Sequence, residues 1–252
     1  MFIKYLVICP LVFLAGYIDA IVGGGGLISL PAYLLAGLPP HNAIATNKVS
    51  SCMGTTIATL RYGKNGFIPV KESMFAVPCA LIGSYIGTRI ALLIEATVFR
   101  MVLLIVLPLT TAYILFGKRV FHESELELLP ACKSLPLISA ISFVIGIYDG
   151  FYGPGTGTFL MLLLTGVVHM SLKNAAGLTK VINLSTNATA LLSYLIAGKA
   201  IIIFGIPAGL FSICGNYLGA KSFSSHGAKI VKPAMIAVLL LFIAKTVYEL
   251  FG

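Results

Sequence analysis

Gly16-Tyr17-Ile18-Asp19-Ala20-Ile21-Val22-Gly23-Gly24-Gly25-Gly26 and Gly146-Ile147-Tyr148-Asp149-Gly150-Phe151-Tyr152-Gly153-Pro154-Gly155-Thr156-Gly157 share a Gly-x-x-Asp-x-x-x-Gly frame, with Asp149 standing 130 residues after Asp19. Each copy interrupts a long apolar stretch with a cluster of glycines. Self-similarity at a fixed offset marks a duplicated architecture. Inside an apolar chain, duplication is a recurrent plan of secondary transporters, whose substrate sites lie where the copies meet.

The composition places the chain in a bilayer. Of its 252 residues, 58% are hydrophobic and 10% charged, against about 25% charged in ordinary soluble domains. Apolar segments fall at 2–22, 27–38, 43–60, 74–94 and 98–116, and, after a polar stretch, at 135–152, 156–168, 174–197, 200–220 and 233–251. Most approach the roughly 20 residues that cross a hydrocarbon core. Segments 27–38 and 156–168 are too short to cross as ordinary helices, and each follows a glycine cluster. They are expected as half-helices whose irregular ends are buried in protein or face a watery cavity.

The expected fold is therefore an all-α integral membrane protein of about 8 transmembrane helices plus two short Gly-initiated half-helices, in two homologous repeats. The first repeat spans 1–117, a polar linker 118–133, and the second repeat 134–252. The alternative is five segments in each half with the halves inverted, and the distribution of basic residues does not choose between them. The first apolar run, preceded by Lys4, has the look of a secretory signal. Because 135–148 duplicates it inside the chain, it is read as a retained helix.

The repeat continues beyond the glycines at a spacing of 132: Lys48 matches Lys180, Tyr62 matches Tyr194, and Gly83-x-x-x-Gly87 matches Gly215-x-x-x-Gly219. Small residues four apart let membrane helices approach closely, so the last pair predicts packing faces. The net charge of +9 comes from basic residues placed where apolar runs end, such as Arg61, Lys64 and Lys71, or Lys221, Lys229 and Lys232. Such groups read as orientation signals, and no solvated basic domain exists to bind nucleic acid. Cys9, Cys52, Cys79, Cys132 and Cys214 lack metal-ligand spacing and read as small packing residues. No cofactor motif and no Ser, His and acid set is present in the sequence, so no enzyme is expected.

A glycine string at a helix start exposes backbone N–H groups at the positive end of the helix dipole, which suits an anion. Gly23, Gly24, Gly25 and Gly26, with Gly153, Gly155, Thr156 and Gly157, are accordingly candidates for substrate binding. The plainer reading of the same glycines is a tight turn and close packing. Lys48 shares a helix face with Ser51 and Thr55, next to Asn47, and Lys180 shares one with Asn183 and Asn187. Polar faces this dense are costly against lipid and should line a path or face each other; the alternative for the lysines is to snorkel to the headgroups. Asp19 and Asp149 call for partners, either as ion pairs to these lysines or as protonatable coupling groups. His41 and His169 follow the short segments and read as interfacial polar residues, the alternative being that they help gate or sense protons near neutral pH.

The frame Asp19-Ala20-Ile21-Val22-Gly23-Gly24-Gly25-Gly26-Leu27-Ile28-Ser29-Leu30-Pro31, the step Ala43-Ile44-Ala45-Thr46-Asn47 and the motif Asp149-Gly150-Phe151-Tyr152-Gly153-Pro154-Gly155-Thr156-Gly157-Thr158-Phe159 resemble the sulfite exporter TauE/SafE family of membrane permeases. The Gly-Pro-Gly-Thr-Gly form of the second motif departs from the plainer glycine run of other members and marks a subgroup. The resemblance implies a multi-pass protein of a prokaryotic cytoplasmic membrane that moves a small anion such as sulfite, a sulfonate or a related sulfur compound. It implies as partners the anion, the lipid bilayer and a coupling ion such as a proton, and leaves a homo-oligomer open. A passive anion channel and a non-transporting scaffold are the other readings of the same residues.

Overall fold

The computed structural model describes residues 2–95, 129–226 and 229–230. Among them are eight helices and no strands: α1 (Phe2–Val22), α2 (Gly26–Leu35), α3 (Pro40–Lys64), α4 (Val70–Leu93), α5 (Ala131–Phe151), α6 (Thr156–Gly166), α7 (Leu172–Ile196) and α8 (Ile202–His226). The segments expected at 98–116 and 233–251, and most of the linker, lie outside the described residues.

The chain punctuates these helices as its residues dictate. Pro39-Pro40 opens α3, with proline at the first helical position where no N–H is needed. Ser171 caps α7 by accepting from the Asn174 N–H at 3.4 Å. The stop after α1 comes at Gly23, whose φ of +76° only glycine adopts cheaply.

Helices α1 (from Ile3), α4, α5 and α8 are each long and apolar enough to cross a membrane. Large apolar side chains such as Leu6, Met74, Ile82, Val144 and Leu210 are exposed on their outer faces, as a lipid solvent requires. The protein is a multi-pass, all-helical membrane protein. With 25 residues each, α3 and α7 are as long as these, about 37 Å at the standard rise. They bury Thr46, Asn47, Lys48, Ser50 and Thr55, and Thr179, Lys180, Asn183, Thr186 and Asn187. The two polar helices thus sit inside and the apolar ones outside.

Cross-helix contacts set the directions. Tyr5 OH donates to Ile203 O at 2.9 Å near the starts of α1 and α8, and Tyr17 OH reaches Ser222 Oγ at 3.2 Å near their ends. Those two helices therefore run together, as do α4 and α5, where Gly83 packs on Phe143 and Gly87 on Phe151. Helix α3 runs with α1, since Tyr62 OH donates to Ala20 O at 2.6 Å. Its start meets the end of α4 through His41 Nε2 and Ala91 O at 3.0 Å, and its end meets the start of α7 through Thr59 Oγ1 and Lys180 O at 3.2 Å. So α1, α3 and α8 point one way, and α4, α5 and α7 the other.

The short helices turn back. After α2 the chain comes within reach of Lys4 at the start of α1. The end of α6 packs with Ala76 and Ile138, near the starts of α4 and α5. Two helical hairpins therefore enter from opposite ends of the bundle, and α1 and α5, which carry the two Gly-x-x-Asp frames, run in opposite directions. Gly83, Gly87, Gly215 and Gly219 seat these hairpins closely: a Cβ on Gly83 would lie 3.0 Å from Ile147 N, and one on Gly215 2.9 Å from Tyr17 N.

Candidate functional site

The hairpin tips meet backbone to backbone. A Cβ added to Gly23 would land on the Cα of Gly157, and one added to Gly157 on the Cα of Gly23. Thr158 Oγ1 donates across the junction to Val22 O at 2.9 Å, and a Cβ on Gly26 would come within 2.9 Å of Pro154 Cα. Close approach of two chains, as well as the turn itself, thus requires glycine here.

Beside the junction lies a polar cavity with about 40 Å³ of free space for the centres of water-sized guests, enough for more than one water. Helix α1 contributes Asp19 and Gly16; the first tip contributes Gly23, Gly25 and Gly26. From α3 come Asn47, Lys48, Ser51 and Thr55, from α5 Asp149, from the second tip Gly153, Thr156 and Gly157, and from α7 Asn183 and Asn187. Every substrate-binding or ion-pair candidate of the sequence reaches this lining except Gly24, Gly155 and Lys180. Gly155 instead caps α6 with a φ of +84°. Three N–H groups at the start of α2 are engaged locally, Leu27 on Gly24 O and Ile28 and Ser29 on Gly25 O, at 3.0 to 3.1 Å. The dipole end is therefore presented by the glycine backbone ahead of them.

Both lysines are buried, Lys48 at 2% and Lys180 at 1% exposure, so neither snorkels. Lys48 Nζ donates to Asp149 Oδ2 at 3.0 Å and to Asn187 Oδ1 at 2.9 Å. Lys180 Nζ donates to Asp19 Oδ2 at 2.9 Å and to the backbone oxygen of Asp19. The pairing is crossed: the lysine of α3 takes the aspartate of α5, and the lysine of α7 takes the aspartate of α1. Pairing is what makes these charges tolerable, three of them buried and Asp19 half-buried, since a lone buried ion costs several kcal/mol. With both carboxylates ionised the cluster sums to zero.

Val12, Ala15, Ser29 and Ser50 also line the cavity, as do Ser212 and Asn216 of α8, the last two of which were not among the candidates. Asn216 Nδ2 donates to Ser212 O at 3.0 Å. Their signal was present but faint: two polar residues in an apolar run, one of them beside Gly215. Asn47 Oδ1, Asn183 Oδ1 and Asn216 Oδ1 are buried without a hydrogen-bond partner among the described residues. Such unpaired amide oxygens are uncommon and mark a site whose polar groups are not all engaged with one another. No group of three or more His, Cys, Asp or Glu side chains positioned for a metal occurs among the described residues.

Comparison with known proteins agrees with this architecture. A probable membrane transporter protein of Haemophilus influenzae is 31% identical over 237 residues, covering 94% of this chain and 92% of its own. The probable membrane transporter protein YfcA of Escherichia coli K12 is 30% identical over 239 residues, covering 95% and 88%. A probable membrane transporter protein of Bacillus subtilis, YdhB, is 22% identical over 244 residues. No solved structure matches the chain. The family model described as sulfite exporter TauE/SafE matches residues 8–246, and this multi-pass membrane protein therefore belongs to the sulfite exporter TauE/SafE family of membrane transporters.

Proposed function

We propose that the protein is a secondary transporter that carries a small anion, a sulfite- or sulfonate-type oxyanion, through the cavity between the two glycine tips by alternating access. The observation that carries this reading is the meeting of the tips beside a buried cavity lined by glycine backbone, asparagine amides and serine hydroxyls. Half-helix ends converging inside a membrane bundle are how transporters present dipoles to a substrate anion. The opposite directions of α1 and α5, and the matched packing of α1 on α8 and α5 on α4, support two homologous halves divided near the linker at 118–133. Rocking of one half against the other would open the cavity to each side in turn.

Lys48 and Lys180 act within ion pairs in this reading, so the guest is held chiefly by hydrogen bonds from the tips and from Asn47, Ser51, Asn183 and Asn187. The test is uptake of labelled sulfite and of a small sulfonate into liposomes containing the purified protein. Saturable uptake, and acceleration by unlabelled anion on the far side, is the expected result. Flux that neither saturates nor shows counterflow would indicate an open channel and overturn alternating access; no flux of either anion through folded protein would overturn the substrate class.

A further inference from the structure

The two ion pairs differ, and the difference falls on the carboxylates. Asp149 is closed off: Oδ2 accepts from Lys48 at 3.0 Å, Oδ1 accepts from Thr156 Oγ1 at 2.8 Å, and the side chain is 5% exposed. Asp19 accepts from Lys180 at Oδ2, its side chain is 19% exposed and it lines the cavity. Its Oδ1 meets no donor among the described residues. The sequence accounts for the contrast, because Gly26 stands 130 residues before Thr156 and brings no hydroxyl. The lysines differ in the same sense. Lys48 keeps a neutral second acceptor in Asn187, whereas the other acceptor of Lys180 is the backbone of Asp19 itself.

We propose that Asp19 is the proton-coupling group of this transporter, with the Asp149–Lys48 pair remaining ionised as a fixed part of the site; the proposal rests on the anion-transport reading above. Hydronium gives its proton to Asp19 Oδ1, one O–H bond breaking on the donor as one forms on the carboxylate and a water molecule departing. The transfer reverses, back to water, when the anion leaves, and nothing is oxidised. The charged and titratable groups facing Asp19 are Lys180 from α7, Lys48 and Tyr62 from α3 and Asp149 from α5; the Tyr62 hydroxyl is engaged with Ala20 O. Helix α8 brings the neutral Ser212 and Asn216, and α2 and α6 bring Ser29, glycine backbone and Thr156. One proton raises the cluster from zero to +1, and one monoanion returns it to zero. Lys180 does not itself reach the cavity. Neutralising the carboxylate in front of it lets its charge act on the guest, so proton and anion each favour the binding of the other.

The test uses the purified full chain in detergent, with methanesulfonate and ethanesulfonate as probes. Both stay fully ionised from about pH 6 to pH 9, so any proton taken up belongs to the protein. The expected result is close to one proton bound per anion in weak buffer, and an affinity that falls about tenfold per pH unit at the alkaline end. Asp19→Asn should bind with no pH slope, and Asp19→Glu should restore the slope. A slope that persists in Asp19→Asn, or that disappears in Asp149→Asn instead, would overturn the assignment. Should Asp19→Asn fail to fold, the stoichiometry of the wild-type protein decides: anion binding with no proton uptake refutes coupling at Asp19 while leaving the anion reading intact. If folded wild-type protein binds neither probe, the anion reading falls and this proposal with it.

Discussion

The glycine junction makes a quantitative demand. In Gly157→Ala the new Cβ would sit on the Cα of Gly23 and 2.8 Å from Asn183 Nδ2, where an ordinary carbon contact is about 3.5 Å or more. The obstacle is backbone, which cannot rotate aside, so the two tips must separate by roughly an ångström. Overpacking of this kind costs about 1–3 kcal/mol. Gly23→Ala meets the same obstacle from the other side and adds a left-handed residue at φ +76°, for about 1–2 kcal/mol more. At 2–4 °C per kcal/mol for a chain of this size, Gly157→Ala should lower the melting temperature by about 2–12 °C and Gly23→Ala by more. Gly166→Ala is the control, because nothing lies within 4 Å of its added Cβ; its effect should be neutral or a gain of up to about 1 kcal/mol. The assay is thermal loss of helical circular dichroism in detergent, paired with uptake in liposomes. The double variant should lose less than the sum, since one separation relieves both contacts. A Gly157→Ala protein that melts and transports as the wild type does would refute direct contact of the tips.

Three further outcomes follow from particular contacts. Lys48→Met, which strands Asp149, should cost about 3–5 kcal/mol, while adding Asp149→Leu should recover most of the loss in the same melting assay; equal damage in single and double variants would contradict the pairing. Tyr62→Phe gives up a 2.6 Å bond to Ala20 O and should cost about 1 kcal/mol, whereas Tyr194→Phe removes a buried hydroxyl with no partner among the described residues and should be neutral or stabilising by melting temperature. His169 holds a φ of +61° where Gly37, 132 residues earlier, holds +79°. His169→Gly should therefore leave stability unchanged or raise it by up to about 1 kcal/mol, and a marked fall would show that the imidazole contributes more than its backbone conformation costs.

Helix ends were legible because the chain marks them with glycine and proline: seven of the eight described helices begin and end within four residues of an apolar segment's ends, and α8 runs six residues past its own, to His226. The cavity lining was legible for the same reason that it is conspicuous. Asn47, Lys48 and Ser51, like Lys180, Asn183 and Asn187, have no place against lipid, so a membrane chain that carries them must turn them inward. Other features were not. Helix direction depends on whether a short helix returns to the end it came from, and spacing says nothing about that. The partner of each lysine is fixed by helices about a hundred residues or more apart. Ser212 and Asn216 escaped notice because two polar residues in an apolar helix are as compatible with a packing face as with a lining.

The crossed pairs also bear on what the cavity can bind and release. Two unpaired ammonium groups about 4 Å from a monoanion would each contribute about 4 kcal/mol at an effective dielectric of 20. Together that is about 8 kcal/mol, the standard binding free energy of a micromolar complex, before any hydrogen bond is counted. A site that must let its guest go on the far side is poorly served by attraction on that scale. With Asp149 on Lys48 and Asp19 on Lys180, the fixed charge sums to zero, and in the proposed reading the asparagine amides and glycine backbone are left to do the recognising. Attraction then becomes conditional: it appears when one carboxylate is neutralised and vanishes when that carboxylate is ionised again. Both carboxylates line the cavity, but Asp149 Oδ1 is taken by Thr156 while Asp19 Oδ1 has no donor among the described residues; in the reading proposed above, the missing hydroxyl at Gly26 is what would make the two pairs unequal in function.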